Sequence, residues 1–147
     1  MAHHEIKTQI LILASPAQVW GVLTDFENYA AWNPFIKSIK GQMQVGKQLE
    51  VQILNMTFRP QLLAFAPSKE FRWLGSLFTK GVFDGEHSFI LEAQADGSTL
   101  LRHEETFNGL LVGLMRKKLD GETMAGFRAM NEALKARVEA IKTDNNS

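Results

Sequence analysis

The change of hydrophobic period near Asn108 constrains the fold more than any other feature of the sequence. Before it, residues 35–107 alternate between apolar and polar in short runs separated by glycine and proline, which predicts an antiparallel meander. After it, the period becomes helical and predicts one long amphipathic helix. One face of this helix carries Met124, Phe127, Asn131, Leu134, Val138 and Ile141.

A strand and two short helices are predicted before the meander. Residues 5–14 are rich in Ile and Leu and indicate the first strand. A helix then begins at Ser15, because Ser15 can cap it, Pro16 suits its first position and Gln18 completes a capping box. A second short helix ends before Pro34, since the residue preceding a proline is pushed out of the α region.

The meander contains six predicted strands, at residues 35–40, 48–54, 57–66, 71–73, 83–93 and 99–107. Pro60 lies inside the third of them and indicates an edge or a bulge, because proline has no donor. The order of elements predicts an α+β fold, in which a curved seven-stranded antiparallel sheet wraps around a long C-terminal helix, with two short helices between strands 1 and 2. We expect one domain over residues 1–147, with a core of about residues 6–142, and a ligand-sized space between helix and sheet.

Composition excludes several classes of protein. The chain has 16 basic and 16 acidic residues and no net charge, so we expect no nucleic-acid partner. It has no cysteine, which excludes disulfides and thiolate metal sites. No stretch reaches the roughly 18 to 20 apolar residues of a membrane helix, so we expect no stable membrane insertion and a cytoplasmic location.

The two long strands, residues 83–93 and 99–107, carry the candidate catalytic groups. If residues 95–97 form a three-residue loop with a bulge, Phe89 lies opposite His103 and His87 lies opposite Glu105. A two-residue loop would set apolar residues against charged ones, so hydrophobic matching favours the first register. In that register His87, His103 and Glu105 point into the space beneath the helix.

Two imidazoles and a carboxylate in an apolar cleft allow three interpretations. They can act as acid and base, they can orient a hydroxyl or carbonyl of a ligand, or they can satisfy one another's hydrogen bonds in a structural role. Metal ligation is a fourth possibility, but the trio lacks a recognised ligand spacing. We therefore expect no metal and no cofactor.

Aromatic residues and methionines converge on the same predicted interior. The candidate ligand-binding residues, which include the trio, are Phe35, Phe58, Trp73, Phe83, His87, Phe89, His103, Glu105, Phe107, Met124, Phe127 and Met130. Core packing is the expected role for most of them, and a binding role is the alternative, since Met and Phe suit adaptable apolar pockets. Residues 74–83 are a candidate lid, with an ordinary loop as the alternative.

Several segments resemble a known superfamily over nearly the whole chain. The opening runs ASPAQVW at residues 14–20, LTDFENY at 23–29 and WNPF at 32–35 resemble the START-like, polyketide cyclase-like (SRPBCC) superfamily. The runs FDGEH at 83–87, HEETF at 103–107 and FRAMN at 127–131 resemble one bacterial branch of it. The resemblance implies a helix-grip fold with a hydrophobic cavity. It implies no single chemistry, because lipid carriers, hormone receptors, aromatic cyclases, chaperone activators and toxin-resistance proteins share this fold.

The function expected from the sequence is the binding or carriage of a small hydrophobic molecule, either a lipid or an aromatic, polyketide-like compound. One alternative is a cyclase or dehydratase-type lyase that uses His87, His103 or Glu105. Another is a chaperone-cofactor-like module that presents its sheet or helix to a protein partner. The sequence favours binding without turnover, and an edge strand leaves a homodimer open.

Overall fold

The computed structural model describes residues 2–146, and side chains for residues 2–142. The elements follow in the order β1 (Ala2–Ile12), α1 (Pro16–Leu23), a 3₁₀ turn (Phe26–Asn28), α2 (Tyr29–Trp32), β2 (Ile36–Lys40), β3 (Glu50–Ile53), β4 (Met56–Phe58), β5 (Gln61–Ala66), β6 (Glu70–Leu77), β7 (Phe83–Ala93), β8 (Thr99–Gly109), α3 (Val112–Lys118), a π-helical turn (Leu119–Thr123) and α4 (Met124–Asn146). The α+β class and the long C-terminal helix are confirmed.

The predicted start of α1 is confirmed in detail. Ser15 accepts a hydrogen bond from the Gln18 amide at 3.2 Å, and the Gln18 side chain accepts one from the Ser15 amide at 2.9 Å. Pro16 occupies the first helical position. The capping box therefore satisfies donors that the first turn of a helix would otherwise leave unpaired.

The described strands form two sheets rather than one of seven strands. Five strands pair in the order β1-β8-β7-β6-β5, and three pair in the order β2-β3-β4. The predicted strand over residues 57–66 was wrong as a single element, because it divides into β4 and β5 at the buried Pro60. Proline donates nothing to a ladder, although the Pro60 carbonyl accepts from the Leu49 amide at 2.8 Å. A bridge between Gln48 and Gln61 joins the two sheets at this break.

The predicted register of β7 against β8 is confirmed. Phe89 pairs with His103 and His87 pairs with Glu105. The connecting loop has the expected three residues, since the Gln94 amide donates to the Ser98 carbonyl at 2.9 Å and Gly97 has a φ of 89°. Glycine adopts this left-handed conformation without steric cost.

The curved five-stranded sheet grips α4, whose apolar face fills most of the concave side. Phe127, Met130, Leu134 and Val138 are buried to 1% exposure or less. They pack against sheet residues such as Phe89, which is itself fully buried. Among the described residues, the space predicted beneath the middle of α4 is thus occupied by core side chains, and a pocket lies nearer the start of the helical segment.

Candidate functional site

An apolar pocket of about 270 Å³ opens where the two sheets diverge beside α3 and the π-helical turn. Its walls come from the β3–β4 hairpin, from β6, β7 and β8, and from the helical segment. The lining residues are Phe35, Ile53, Leu54, Asn55, Met56, Phe58, Trp73, Gly75, Leu77, Phe83, Gly85, Glu105, Met115, Lys118, Leu119, Glu122 and Thr123. The exposed side chains of Leu54, Met56, Lys118 and Glu122 mark the mouth.

Five of the twelve sequence-predicted binding residues line this pocket: Phe35, Phe58, Trp73, Phe83 and Glu105. The structure places the other seven behind it, in or against the core: His87, Phe89, His103, Phe107, Met124, Phe127 and Met130. The cause is the position of α4, which covers the middle of the sheet, so that only its N-terminal approach borders the pocket. Met115 and Leu119 were missed, although their spacing of four residues would place them on one helical face.

The candidate lid, residues 74–83, is largely β-hairpin. Leu74 to Leu77 continue β6, Phe83 begins β7, and Leu77 and Phe83 are paired in the ladder. Both residues line the pocket from fixed strand positions. Only residues 78–82 connect the two strands, and Phe78 there is 73% exposed.

Phe35 is held in the pocket wall by the corner that precedes β2. The Asn33 side-chain oxygen accepts from the amides of Phe35 and Ile36 at 2.9 and 2.8 Å, which fixes the chain direction after Pro34. The Phe35 ring lies against the Cα of Gly126. It also meets the Phe127 ring edge-on, with centroids 5.5 Å apart.

Glu105 is the only member of the predicted trio that reaches the pocket lining. It projects from β8 with its side chain 15% exposed. Its Oε1 lies 3.1 Å from His87 Nδ1, and its Oε2 lies over the Cα of Gly85 on the neighbouring strand. Gly85 therefore supplies the space in which the carboxyl group rests.

Behind Glu105, buried polar groups continue in a line toward α4. His87 Nε2 lies 2.8 Å from His103 Nε2, and His103 Nδ1 lies 2.8 Å from Asn131 Oδ1. Asn131 Nδ2 donates to Thr8 Oγ1 at 2.9 Å, and this hydroxyl donates to the His103 carbonyl at 2.7 Å. The line joins β1, β7, β8 and α4 into one network.

Aromatic rings hold both imidazoles in place. His103 is stacked between Phe127 and Phe89, with ring centroids 4.1 and 4.4 Å away. His87 stacks on Trp73 at 4.6 Å, and Trp73 is also part of the pocket wall. The rings consequently have little freedom to rotate away from their hydrogen-bond partners.

The donor and the acceptor in each hydrogen bond of this line can be assigned in turn, starting from the Thr8 hydroxyl and the His103 carbonyl. The His103 carbonyl can only accept, so the Thr8 hydroxyl donates to it and must accept from Asn131 Nδ2. Asn131 Oδ1 then faces His103, and His103 Nδ1 must carry a proton. Burial, and secondly the neighbouring His87, hold the pKa of His103 well below its ordinary value. His103 is therefore neutral, and its Nε2 accepts from His87.

One proton is left for the hydrogen bond between His87 and Glu105. His87 donates through Nε2, so its Nδ1 would present a bare lone pair to a bare carboxylate oxygen unless a proton lies between them. Either an imidazolium faces a carboxylate, or a neutral imidazole faces a carboxylic acid. Both arrangements have no net charge, and both are capable of proton transfer at the pocket wall.

The trio forms a chain rather than a converging site. Among the described residues, no group of three or more histidines and carboxylates is placed to hold a metal ion.

No described helix is long and apolar enough to cross a membrane.

A curved antiparallel sheet around a long C-terminal helix, with an apolar pocket at one end, defines a helix-grip protein. The chain belongs to the family described as polyketide cyclase / dehydrase and lipid transport, whose model matches residues 3–139. The predicted membership of the START-like, SRPBCC superfamily is thereby confirmed. No protein of curated function matches the sequence significantly.

Solved structures agree with this fold. A START superfamily protein from Mycobacterium smegmatis is 25% identical, with a TM-score of 0.70 and coverage of 95% of this chain and 99% of that one. An aromatase/cyclase from Streptomyces sp. R1128 is 16% identical, with a TM-score of 0.71 and 94% of each chain covered. Norcoclaurine synthase from Thalictrum flavum is 12% identical, with a TM-score of 0.73 and coverage of 96% and 97%. The last two likenesses show the fold alone.

Proposed function

We propose that this protein binds and carries a small, largely apolar molecule in the pocket beside α3. The observation that carries the proposal is an apolar pocket of about 270 Å³ whose wall contains the mostly buried carboxyl group of Glu105. Apolar pockets with few, fixed polar groups are typical of small-molecule sites. A pocket of about 270 Å³ indicates a guest of one or two rings or a short chain.

The family match supports this proposal, since lipid transport is part of the family's description. The same description includes cyclases and dehydrases, so the family by itself does not separate carriage from turnover. A protein-interaction module has less support. A module that only presents its surface to a partner would have little internal cavity, whereas this protein has a pocket of about 270 Å³.

Two adjacent residues of α3 provide a matched test of pocket binding. Met115 lines the pocket, whereas Leu114 is 82% exposed. Met115→Trp should fill the pocket and abolish the fluorescence titration with anilinonaphthalene sulfonate, while Leu114→Trp should leave it intact. Native mass spectrometry of the purified wild type should show retained small molecules that Met115→Trp lacks. Equal titrations for both variants, or no probe binding by the wild type, would contradict the proposal.

Acid–base catalysis is a second candidate function, favoured by the proton between His87 and Glu105. Glu105 touches the pocket and His87 supplies or accepts the proton from behind, so an enolisable ketone bound there could lose and regain an α-proton. The test is hydrogen–deuterium exchange of 2-tetralone in D₂O, followed by NMR. Wild type should accelerate the exchange and Glu105→Gln should not; equal rates would exclude this function.

We also propose that residues 1–147 constitute one domain with its core at about residues 6–142. The first strand supports this, because β1 pairs along its whole length with β8, and all the strands and helices from α1 to β7 lie between these two in the sequence. A division of the chain would separate these two strands. Limited proteolysis should accordingly release no stable fragment that lacks either strand.

A further inference from the structure

We infer that the pocket selects apolar molecules that carry a neutral hydrogen-bond donor, a phenolic or alcoholic hydroxyl, and that Glu105 Oε2 accepts this hydrogen bond. The inference rests on the proposed binding function and names the chemistry of the guest. Its basis is the direction of the buried hydrogen bonds that begin at Thr8 and end at Glu105.

Oε2 is the Glu105 oxygen that is free to accept a hydrogen bond from a guest. Oε1 shares the single proton with His87 Nδ1 at 3.1 Å. Whichever of the two groups holds that proton, Oε2 has none and presents only lone pairs. No described side chain donates to Oε2, which lies in the pocket wall over Gly85. The pocket thus offers an acceptor that lacks a protein donor.

Apolar side chains surround that oxygen. Trp73, Phe83 and Leu77 form apolar walls on the same side of the pocket, so a guest that fills the pocket removes water from Oε2. A guest with a hydroxyl replaces the lost hydrogen bond, whereas an ether or a hydrocarbon leaves the oxygen unpaired. Sites built around a hydrogen-bonding group reject analogues that lack the matching group for this reason.

A cationic donor suits this oxygen less well than a neutral one. An ammonium group beside Glu105 would favour loss of the shared proton, and His87 Nδ1 would then face the carboxylate with a bare lone pair. His87 cannot relieve this by exchanging its donor and acceptor nitrogens, because His103 and Asn131 fix the direction of the network. A neutral hydroxyl does not disturb the shared proton in this way.

The experiment compares 2-naphthol with 2-methoxynaphthalene by isothermal titration calorimetry at neutral pH. The two probes share their rings, and only the first has a donor. Wild type should bind 2-naphthol more tightly by about tenfold or more, the worth of a buried hydrogen bond. Equal affinities, or a preference for the ether, would overturn the inference.

Two variants at residue 105 separate hydrogen bonding from the shared proton. Glu105→Gln should keep the preference, because its amide can donate to His87 Nδ1 while its oxygen faces the pocket. Glu105→Met, of similar length, should lose it. A preference that persists in Glu105→Met would overturn the inference, since the discriminating group would then lie elsewhere.

A wild-type measurement keeps the test independent of how the variants fold. In ¹⁵N NMR spectra, 2-naphthol should shift the His87 Nδ1 resonance through Glu105, and 2-methoxynaphthalene should shift it much less. Identical shifts would count against the inference. If anilinonaphthalene sulfonate binds while neither naphthalene probe does, the inference fails and the binding function stands; if all three fail to bind, both fail.

Discussion

The Cα of Gly85 on β7 lies directly beneath the Glu105 carboxylate on β8. A Cβ at residue 85 would come closer than 3.0 Å to Glu105 Oε2, and nearer than 3.4 Å to its carboxyl carbon. The requirement for glycine here is one of space between two strands, since glycine alone allows such a close approach. The carboxyl orientation, and with it the hydrogen bond to His87, depends on this missing side chain.

Gly85→Ala should displace the Glu105 side chain and break its hydrogen bond to His87. Because the carboxyl group ends a flexible side chain and can move aside, we expect a loss of only about 0.5–1.5 kcal/mol in the free energy of unfolding, the worth of the hydrogen bond, together with loss of the preference for 2-naphthol. Urea unfolding and calorimetry measure the two effects. Gly21→Ala is the control, because nothing lies within 4 Å of a Cβ at this position in α1. Alanine there should stabilise the helix by about 0.5–1 kcal/mol. An unchanged preference for 2-naphthol in Gly85→Ala would contradict the account of Glu105.

Protonation of the buried His103 should destabilise the fold in acid. Burial lowers the pKa of His103 in the folded state, so below about pH 6.5, its ordinary value, the unfolded chain binds a proton that the folded chain does not. The free energy of unfolding should therefore fall as the pH decreases from 7 to 5, with up to about 1.4 kcal/mol per pH unit from this residue. The free energy of unfolding, measured by urea denaturation at each pH across this range, should depend less steeply on pH in His103→Gln than in wild type. An unchanged slope would mean that His103 does not titrate on unfolding.

Thr8→Val should release the network at its fixed end. The hydroxyl donates to the His103 carbonyl and accepts from Asn131, so its removal takes one donor from that carbonyl and leaves the buried Asn131 Nδ2 without its acceptor. We expect a loss of about 1–3 kcal/mol in the free energy of unfolding, measured by urea denaturation. Thr79→Val changes an exposed threonine and should cost less than about 0.5 kcal/mol. Similar losses in the two variants would argue against a structural role for the Thr8 hydroxyl.

The sequence predicted the parts of the site that depend on local chemistry. The pairing of His87 with Glu105 followed from strand parity and from the Asp96–Gly97 turn, because a period of two and a defined loop length determine a register. The network beyond His103 was not predictable in this way. Asn131 was assigned to the buried face of the helix, but its partner Thr8 is 123 residues away, and only the packing of α4 across β1 brings them together.

The location of the pocket was also beyond the reach of the sequence pattern. Pro60 indicated an edge or a bulge, yet whether the strand bends or divides depends on what packs beside it. In the structure the division directs β3 and β4 into a second sheet, which adds Ile53 and Met56 to the pocket wall. The π-helical turn likewise places Leu119 and Thr123 in the wall, and its wider hydrogen-bonding pattern has no clear sequence signature.

Gly126→Ala tests whether the position of Phe35 depends on the start of α4. Helix propensity alone would make alanine the more stable residue by about 1 kcal/mol, but a Cβ at residue 126 would lie under 3.0 Å from the Phe35 ring. Because Asn33 holds the backbone of Phe35, the ring cannot simply withdraw, and we expect a net loss of about 1–3 kcal/mol in urea unfolding. Gly121→Ala, where a Cβ meets nothing within 4 Å, should cost nothing.

The same prediction is made specific by a double-mutant cycle. Phe35→Leu shortens the group that a Cβ at residue 126 would strike, so Gly126→Ala should cost less in the Phe35→Leu background than in wild type, by about 1 kcal/mol or more. Because Phe35 is part of the pocket wall, Gly126→Ala should also change the affinity for anilinonaphthalene sulfonate, and this change should be smaller in the Phe35→Leu background. Additive effects of the two substitutions would show that the ring and the helix start are energetically independent, and that Gly126 does not position Phe35.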